Sequence, residues 1–402
     1  MPPEIGIPTV EIREGSARIL VPDPQSYKRG EEINPAWAPV FYNPRASPSR
    51  SIAVLFLRAY ASLRNLKEIK VVEPLSATGV RGIRFALEVD AVARVYLNDL
   101  NPLAYKLILA NAKINGVSSK VIVGNEDANL FMLKYWREMG GFDYVDIDPF
   151  GTSLPFIETA LTVVKHRGII ALTFTDVAVP YGTYPKKSLR RYLAYSIRTP
   201  FSYELALRVL LGFLCRTAAQ REIGIVPLLS YYYDYYVRIF IEVWKNRRNA
   251  KESLINLGFI LYCASCGFRE AIRNYPFPPE KVCPVCKKKL IPLGPLWLTP
   301  YAKKEIINKM IEEAREKGAF LTARDIKLLS ILGEELLDVP YYYTVSELGK
   351  RLKVAEPSPK ALVSMLRDRG IRSSLVHCDS KGFKADLPHE SLMNTLTTTL
   401  TA

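Results

Sequence analysis

The chain has 402 residues, of which 49% are hydrophobic, and its mean hydropathy is +0.02. That excludes a disordered chain and, at about 150 residues per domain, implies two or three domains. Lys and Arg number 55 against 40 Asp and Glu, a formal charge of +15. Such an excess points to a polyanionic partner, nucleic acid before others, although a merely basic soluble protein has the same balance. It is shared between 1–260 (33 basic, 24 acidic) and 261–402 (22 basic, 16 acidic), which suits a wide footprint on a folded nucleic acid better than a basic tail. The three histidines, His166, His377 and His389, show no metal-ligand spacing and argue against histidine-based catalysis. Met1 to Pro8 has neither the basic start nor the apolar core of a secretory signal. The longest uncharged stretch, Ser253 to Phe268, has 16 residues and falls short of a membrane span. A soluble, cytoplasmic protein with no membrane contact and no evident obligate protein partner is expected.

Glu11 to Val21 alternates like one strand, and Pro22, Pro24, Pro35, Pro39 and Pro44 punctuate a long lead-in over 1–50. Ser51 to Leu66 has helical apolar spacing. Strands are predicted at 69–73, 95–98, 121–123, 144–148, 169–175, 223–228 and 237–244. Helices are predicted at 80–88, 102–115, 130–139, 154–164 and 204–219. This alternation predicts an α/β fold with a doubly wound, mostly parallel sheet, whose ligands bind at the carboxyl ends of the strands. The tyrosine-dense tract Tyr231 to Tyr236 reads as part of a strand pair. Composition changes near Leu257. A four-cysteine segment follows, then Pro292, Pro295 and Pro300, then helices over 301–317 and 322–332. Beyond Pro340, helices at 345–352 and 359–369 precede strands at 371–377 and 382–385. That order predicts a winged-helix-like unit, a shape that touches nucleic acid in many proteins and is a packing module in others. The expected division is 1–260 and 261–402, with a metal-binding segment at 261–290.

The run Val71-Val72-Glu73-Pro74-Leu75-Ser76-Ala77-Thr78-Gly79-Val80-Arg81-Gly82 reads as a strand, a small-residue loop and a helix start. Small residues let the backbone approach a ligand, and the helix start offers free N–H groups. Asp99 closes the second strand, where an acid hydrogen-bonds ribose hydroxyls in nucleoside-binding sheets. Asn125-Glu126-Asp127-Ala128 closes the third, where a carboxylate can accept from an adenine amine. Acids at successive strand ends, without G-x-G-x-x-G, suit S-adenosylmethionine better than a dinucleotide. Asp99 and Asp127 also precede helical runs, so helix capping is an alternative that can coexist with ligand binding.

Asp146-Ile147-Asp148-Pro149-Phe150-Gly151 ends the fourth strand beside that loop. It resembles the Asp/Asn-Pro-Pro-aromatic corner of amino-group methyltransferases. An exocyclic base amine is a poor nucleophile because its lone pair is delocalised into the ring. A carboxylate and a backbone carbonyl accepting its hydrogens favour a pyramidal amine, and an aromatic ring can stack on a base that has left its helix. The alternative is a buried structural turn with Phe150 in the core.

Cys263-x2-Cys266 and Cys283-x2-Cys286 read as one tetrahedral structural zinc site, with an iron–sulfur site as the alternative. Lys287, Lys288 and Lys289 follow it. Cys215 reads as core. Lys186, Lys187, Arg190 and Arg191 share a helix face by spacing, near Tyr184, Tyr192 and Tyr195, and read as an RNA-facing patch or a solvated face. Lys245, Arg247 and Arg248 lie after the last strand of the first part and can join it.

With these residues in view, the chain resembles the tRNA guanine-N2,N2-dimethyltransferase family, archaeal type. The matching segments are Val40-Phe41-Tyr42-Asn43-Pro44-Arg45, Leu75 to Phe85, Asn98-Asp99, Asp127-Ala128-Asn129, Asp146 to Gly151, Thr173 to Asp176 and Gly294-Pro295-Leu296-Trp297. The resemblance implies a class I S-adenosylmethionine-dependent methyltransferase domain, Rossmann-like, and a C-terminal α+β domain. It implies two methyl transfers to the N2 amine of the guanine at position 26 of tRNA. It further implies cofactor binding by Arg50, Glu73, Arg81, Asp99, Asp127 and Ala128, with Arg50 and Arg81 reaching the methionine carboxylate. Asp148 and Pro149 are the implied catalytic residues, and Phe41 and Phe150 the implied sandwich for the flipped base, with Phe41 as a core residue the alternative. Thr152 stands where the family often has Ser, which keeps a hydroxyl.

Overall fold

A computed structural model describes residues 5–273, 278, 280–316 and 320–400. The chain forms two compact units, Met1–Phe174 with Glu305–Lys327, and Thr175–Lys304 with Leu328–Ala402.

The first unit opens on a hairpin, β1 (Thr9–Glu14) and β2 (Ala17–Pro22), paired antiparallel. One strand is expected from the alternation over Glu11 to Val21. The chain instead reverses at Gly15, whose φ of 60° suits a residue without Cβ. A two-residue turn keeps the alternation in step, so the reversal is invisible to periodicity. The lead-in is then built from three 3-10 turns at Pro24–Tyr27, Pro35–Trp37 and Pro44–Ala46. Each begins on a proline, and the side chain before it (Asp23, Asn34, Asn43) accepts from the second N–H.

Next come α1 (Ser47–Arg64), β3 (Ile69–Glu73), α2 (Val80–Glu88), β4 (Val92–Asn98) and α3 (Pro102–Ile114). They are followed by β5 (Val121–Gly124), α4 (Ala128–Met139), β6 (Phe142–Ile147), α5 (Ile157–Val163) and β7 (Val164–Phe174). Pro155 shortens the helix expected at 154–164: Leu154–Phe156 is a 3-10 turn, and Val164 already starts β7. The strands lie in the order β5-β4-β3-β6-β7, each pair parallel. Successive residues such as Val71 and Val72, or Tyr144 and Val145, are all buried, as in a sheet covered on both faces. The chain winds one way from β3 through β5 and returns to the other side at β6. The switch point therefore falls between β3 and β6, where open α/β sheets bind ligands.

The second unit contains α6 (Pro185–Tyr192), α7 (Ser202–Ala219), the antiparallel pair β8 (Gly224–Tyr233) and β9 (Tyr236–Trp244), and α8 (Arg247–Ile255). Tyr231 to Tyr236 forms the end of that pair. A second sheet, β11 (Arg269–Ile272) to β10 (Leu257–Tyr262) to β12 (Ile291–Trp297), carries the cysteine segment. Neither this sheet nor α8 is signalled by the periodicity. Farther along the chain, α9 (Lys304–Glu316) and the start of α10 (Ala323–Glu334) belong to the first unit; Lys317, the expected end of the first of these helices, is outside the described residues. The chain closes with β13 (Tyr343–Thr344), α11 (Val345–Leu352), α12 (Pro359–Asp368), β14 (Ser373–Leu375), β15 (Gly382–Ala385) and an unforeseen α13 (His389–Leu400). β15 pairs with both β13 and β14, in the helix–helix–hairpin order of a winged-helix-like unit.

A buried charge network knits the second unit. Glu335 accepts from Tyr301 Oη at 2.7 Å and lies 3.1 Å from Lys384 Nζ and 2.7 Å from His377 Nδ1. Lys384 also donates to Glu204, which holds Arg208 one turn along α7. Burial by itself would raise the Glu335 carboxyl. Lys384, His377 and Tyr301 together hold it well below the usual carboxylate range. A carboxylate depressed in this way stabilises the fold above its unfolded pKa of 4.5, and that stability is lost as pH falls below it. Glu335→Ala is expected to cost about 3–5 kcal/mol at neutral pH by stranding a buried cation. The deficit should narrow in denaturant titrations run below pH 4.5; an unchanged midpoint at neutral pH would reject this role.

Candidate functional site

The loop after β3 is built for close approach. Ala77 and Gly79 both have positive φ, 49° and 75°, and Gly79 leads into α2. A Cβ on Gly79 would press on Ile108 at 3.2 Å. Asn98, fully buried at the end of β4, ties three loops together. Its Nδ2 donates to Pro74 O and to Glu126 O, and its backbone carbonyl accepts from Ser76 N. The carboxyl ends of β3, β4 and β5 are thereby fixed against one another without using the acids beside them.

Those acids also make local bonds. Asp99 accepts from Ala77 N at 2.8 Å and Asn101 N at 2.9 Å. Asp127 caps α4, accepting from Asn129 N and Leu130 N, and Ala128 is the helix's first residue. Asp99 thus clamps the small-residue loop.

Across the switch point the Asp148-Pro149-Phe150 corner follows β6. Ser153 Oγ donates to Thr173 O at 2.7 Å, which ties the corner to the end of β7. Phe150 is 74% exposed, so it is not a core residue. Its ring meets Phe41 edge to face, with centroids 4.7 Å apart. The two aromatic candidates, 109 residues apart in sequence, are brought together.

One guanidinium joins the two halves. Arg81, 2% exposed on α2, pairs with Asp146 and with Asp148, and Glu73 lies 3.8 Å away. Asp146 also accepts from Tyr144 Oη at 3.0 Å. Burial pushes the Glu73 carboxyl up to about 8, against the pull of Arg81 and with help from the two aspartates. Its Oε2 accepts from Gly82 N at 3.0 Å, so it also pins the start of α2.

Arg50 is buried too, but its guanidinium is held by Glu14 (2.7 and 2.5 Å) and by Asn43 O at 3.1 Å. Glu14 further accepts from Tyr42 Oη at 2.9 Å and Arg84 at 3.1 Å. Arg50 thus sets the segment that carries Phe41. The sequence reading gave Glu14 no role, and it quoted Asp146 in the corner motif without assigning it one. Strand-end position alone could have flagged Asp146; nothing local distinguishes Glu14 from a hairpin surface acid.

The four cysteines of the second unit converge, their Sγ atoms within 4.8 Å of one another. Cys263–Cys286 and Cys266–Cys283 stand at 3.4 Å, far beyond a disulfide bond of about 2.05 Å. Each knuckle turns on a left-handed residue, Gly267 and Lys287, whose N–H groups donate to Cys263 O and Cys283 O. Four soft thiolates on such a scale fit a closed tetrahedral zinc site. Cys215 is fully buried on α7, as expected.

Of the basic patch, Lys186 and Arg190 are exposed, Lys187 lies over the Tyr184 ring, and Arg191 is paired to Asp176. Tyr192 does not belong to the surface: it is fully buried against Phe213, on the inner face of α6. Arg247 and Arg248 pair with Glu222 and Glu252. No described helix is long and apolar enough to cross a membrane.

Comparison with known proteins agrees with this geometry. A family model described as N2,N2-dimethylguanosine tRNA methyltransferase matches residues 15–397. The chain is 37% identical to a tRNA (guanine(26)-N(2))-dimethyltransferase of Pyrococcus abyssi, covering 96% of this chain and 98% of that one. It is 35% identical to a tRNA (guanine(26)-N(2)/guanine(27)-N(2))-dimethyltransferase of Aquifex aeolicus, covering 95% and 94%. A solved complex of Trm1 from Pyrococcus horikoshii with S-adenosyl-L-methionine superposes with a TM-score of 0.82 at 33% identity, over 96% of this chain and 99% of that one. By sequence along nearly its whole length, and by fold, the chain belongs to the N2,N2-dimethylguanosine tRNA methyltransferase family.

Proposed function

We propose that this protein is an S-adenosylmethionine-dependent tRNA methyltransferase that places two methyl groups on the exocyclic N2 amine of guanine 26, acting in the cytoplasm. The observation that carries the reading is the Asp148-Pro149-Phe150 corner joined through Arg81 to the small-residue loop at the switch point. The cofactor, when bound, supplies a methyl group on a positively charged sulfur. Asp99, Asp127 and Ala128 hold its adenosine half, and the clamped 74–79 loop lets the backbone come close. Arg81 and Arg50 serve its carboxylate, and both are already held in place by acids of the chain. Glu73 keeps α2 and Arg81 in register. Asp148 and the Pro149 carbonyl accept the two N2 hydrogens, which turns the amine lone pair toward the methyl. Asp148 then receives the proton released as the N–C bond forms. Phe41 and Phe150 part to take the guanine between them, and the exposure of Phe150 supports that motion. The zinc-bearing segment is structural, since four cysteines leave no open position. In this reading residues 1–260 carry the transfer, while 261–402 help grip the tRNA with the exposed cations of α6.

Purified protein with labelled cofactor is expected to produce N2,N2-dimethylguanosine in unmodified tRNA, read by nucleoside mass spectrometry. Asp148→Ala should lower turnover by about a thousandfold. Methylated adenine or cytosine instead would mark another base amino-methyltransferase. No cofactor heat in calorimetry would mark an RNA-binding protein. Asp99→Ala should weaken cofactor affinity by about tenfold, the value of a lost hydrogen bond or two, and leave tRNA affinity alone; equal cofactor affinity refutes the assignment. Cys263→Ser should abolish zinc stoichiometry in elemental analysis and lower the melting temperature more than it lowers turnover per folded molecule. A metal-free variant of wild-type stability would contradict a structural zinc.

A further inference from the structure

A cleft of about 790 Å³ in the first unit has no role in the site above. One side is the open face of β1, Val10 and Ile12; the other is the lead-in, Ile33 and Pro35. Val10 is 37% exposed and Ile33 48%, so two large apolar side chains are left uncovered across one groove. Arg13 and Arg45 also line it, against Glu32 as the acid. Arg45 is exposed and has no carboxylate partner among the described residues.

The groove adjoins the proposed guanine site across one shared segment. Val40, Tyr42, Asn43, Pro44 and Arg45 line the cleft, while Phe41 turns to Phe150. Phe41 and Tyr42 thus serve two neighbouring spaces from adjacent Cα atoms about 3.8 Å apart. The wall between them is firm: Tyr42 Oη is fixed to Glu14 and the Asn43 carbonyl to Arg50.

We infer that this groove binds the nucleotide adjoining the target guanine, an inference that rests on the function proposed above. The base lies on the apolar surface of Val10, Ile12, Ile33 and Pro35, and its phosphate is met by Arg45. Single-stranded nucleic acid presents a flat apolar base face and a charged linkage, and the groove offers an apolar floor for the one and a cationic rim for the other. An extruded guanine draws its neighbouring phosphate out with it, so the site must meet that charge nearby.

The test uses the full chain and full-length tRNA transcripts with the nucleotide on either side of the target intact or abasic. Ile33→Asp and Arg45→Ala alter exposed side chains. Each is expected to raise KM for tRNA by about tenfold, the size of one lost stack or contact, with kcat and cofactor affinity unchanged. An abasic residue on one flank should do the same to the wild-type protein and add less than about twofold to Ile33→Asp. Arg45→Ala should also reduce the slope of log affinity against log salt by about one. Wild-type KM in both variants, or abasic penalties on both flanks that multiply fully with Ile33→Asp, would overturn the groove. Equilibrium tRNA binding is measured on the same set, and there the groove is judged without turnover. A wild-type protein that binds with these dependences but makes no dimethylguanosine would sink the proposed function and leave the groove standing.

Discussion

The Arg81 guanidinium is the constraint on which the rest of the first unit turns. It sits at the reversal of strand order, enclosed by carboxylates from β3, β6 and the corner beyond β6. A cation so deeply buried is tolerable only when paired, and removing either aspartate would weaken the pairing that makes it so. The pairing therefore welds α2 to the strand across the switch point. The cluster holds more acid than base, and the upward shift of Glu73 to about 8 is how that excess is absorbed. Asp148 is thus oriented by the same group that borders the small-residue loop after β3.

The same device recurs around it. Glu14, from the hairpin, gathers Arg50, Arg84 and Tyr42, and so connects the lead-in that carries Phe41 to α1 and α2. In the second unit Arg269 pairs with Glu347 and lies 4.3 Å from the Tyr343 ring centroid and 4.9 Å from that of Phe201. Arg208 and Lys384 share Glu204. These cations are interior fasteners. The formal charge of +15 overstates how many cations are free to meet RNA, and it makes exposed ones such as Lys186, Arg190 and Arg45 more telling.

Particular residues show how far the sequence could be read. The spacing of Val71 to Gly82 and of Asp146 to Gly151 located both loops, because glycine, proline and small residues have strong local preferences at strand ends. The cysteine spacing foretold a metal cluster, and the four thiols do meet. The hairpin turn at Gly15 was missed because a two-residue reversal preserves alternation. The sheet of β10, β11 and β12 was missed because its strands pair across long gaps, with β12 returning from beyond both knuckles. Tyr192 was misplaced because a tyrosine beside basic residues looks the same whether its side of the helix is wet or dry.

Sequence by itself determined the family, the alternation of strands and helices from β3 to β7, the two loops at their carboxyl ends and the chemistry of the four cysteines. Each of these is written in local composition and spacing. Only the tertiary structure decided that Arg81 reaches Asp148, that Arg50 is held by Glu14, that Phe41 touches Phe150, and that a cleft opens behind Tyr42. Those are pairings between residues dozens of positions apart. They are selected by burial and charge neutralisation in the folded chain, and no local preference encodes them.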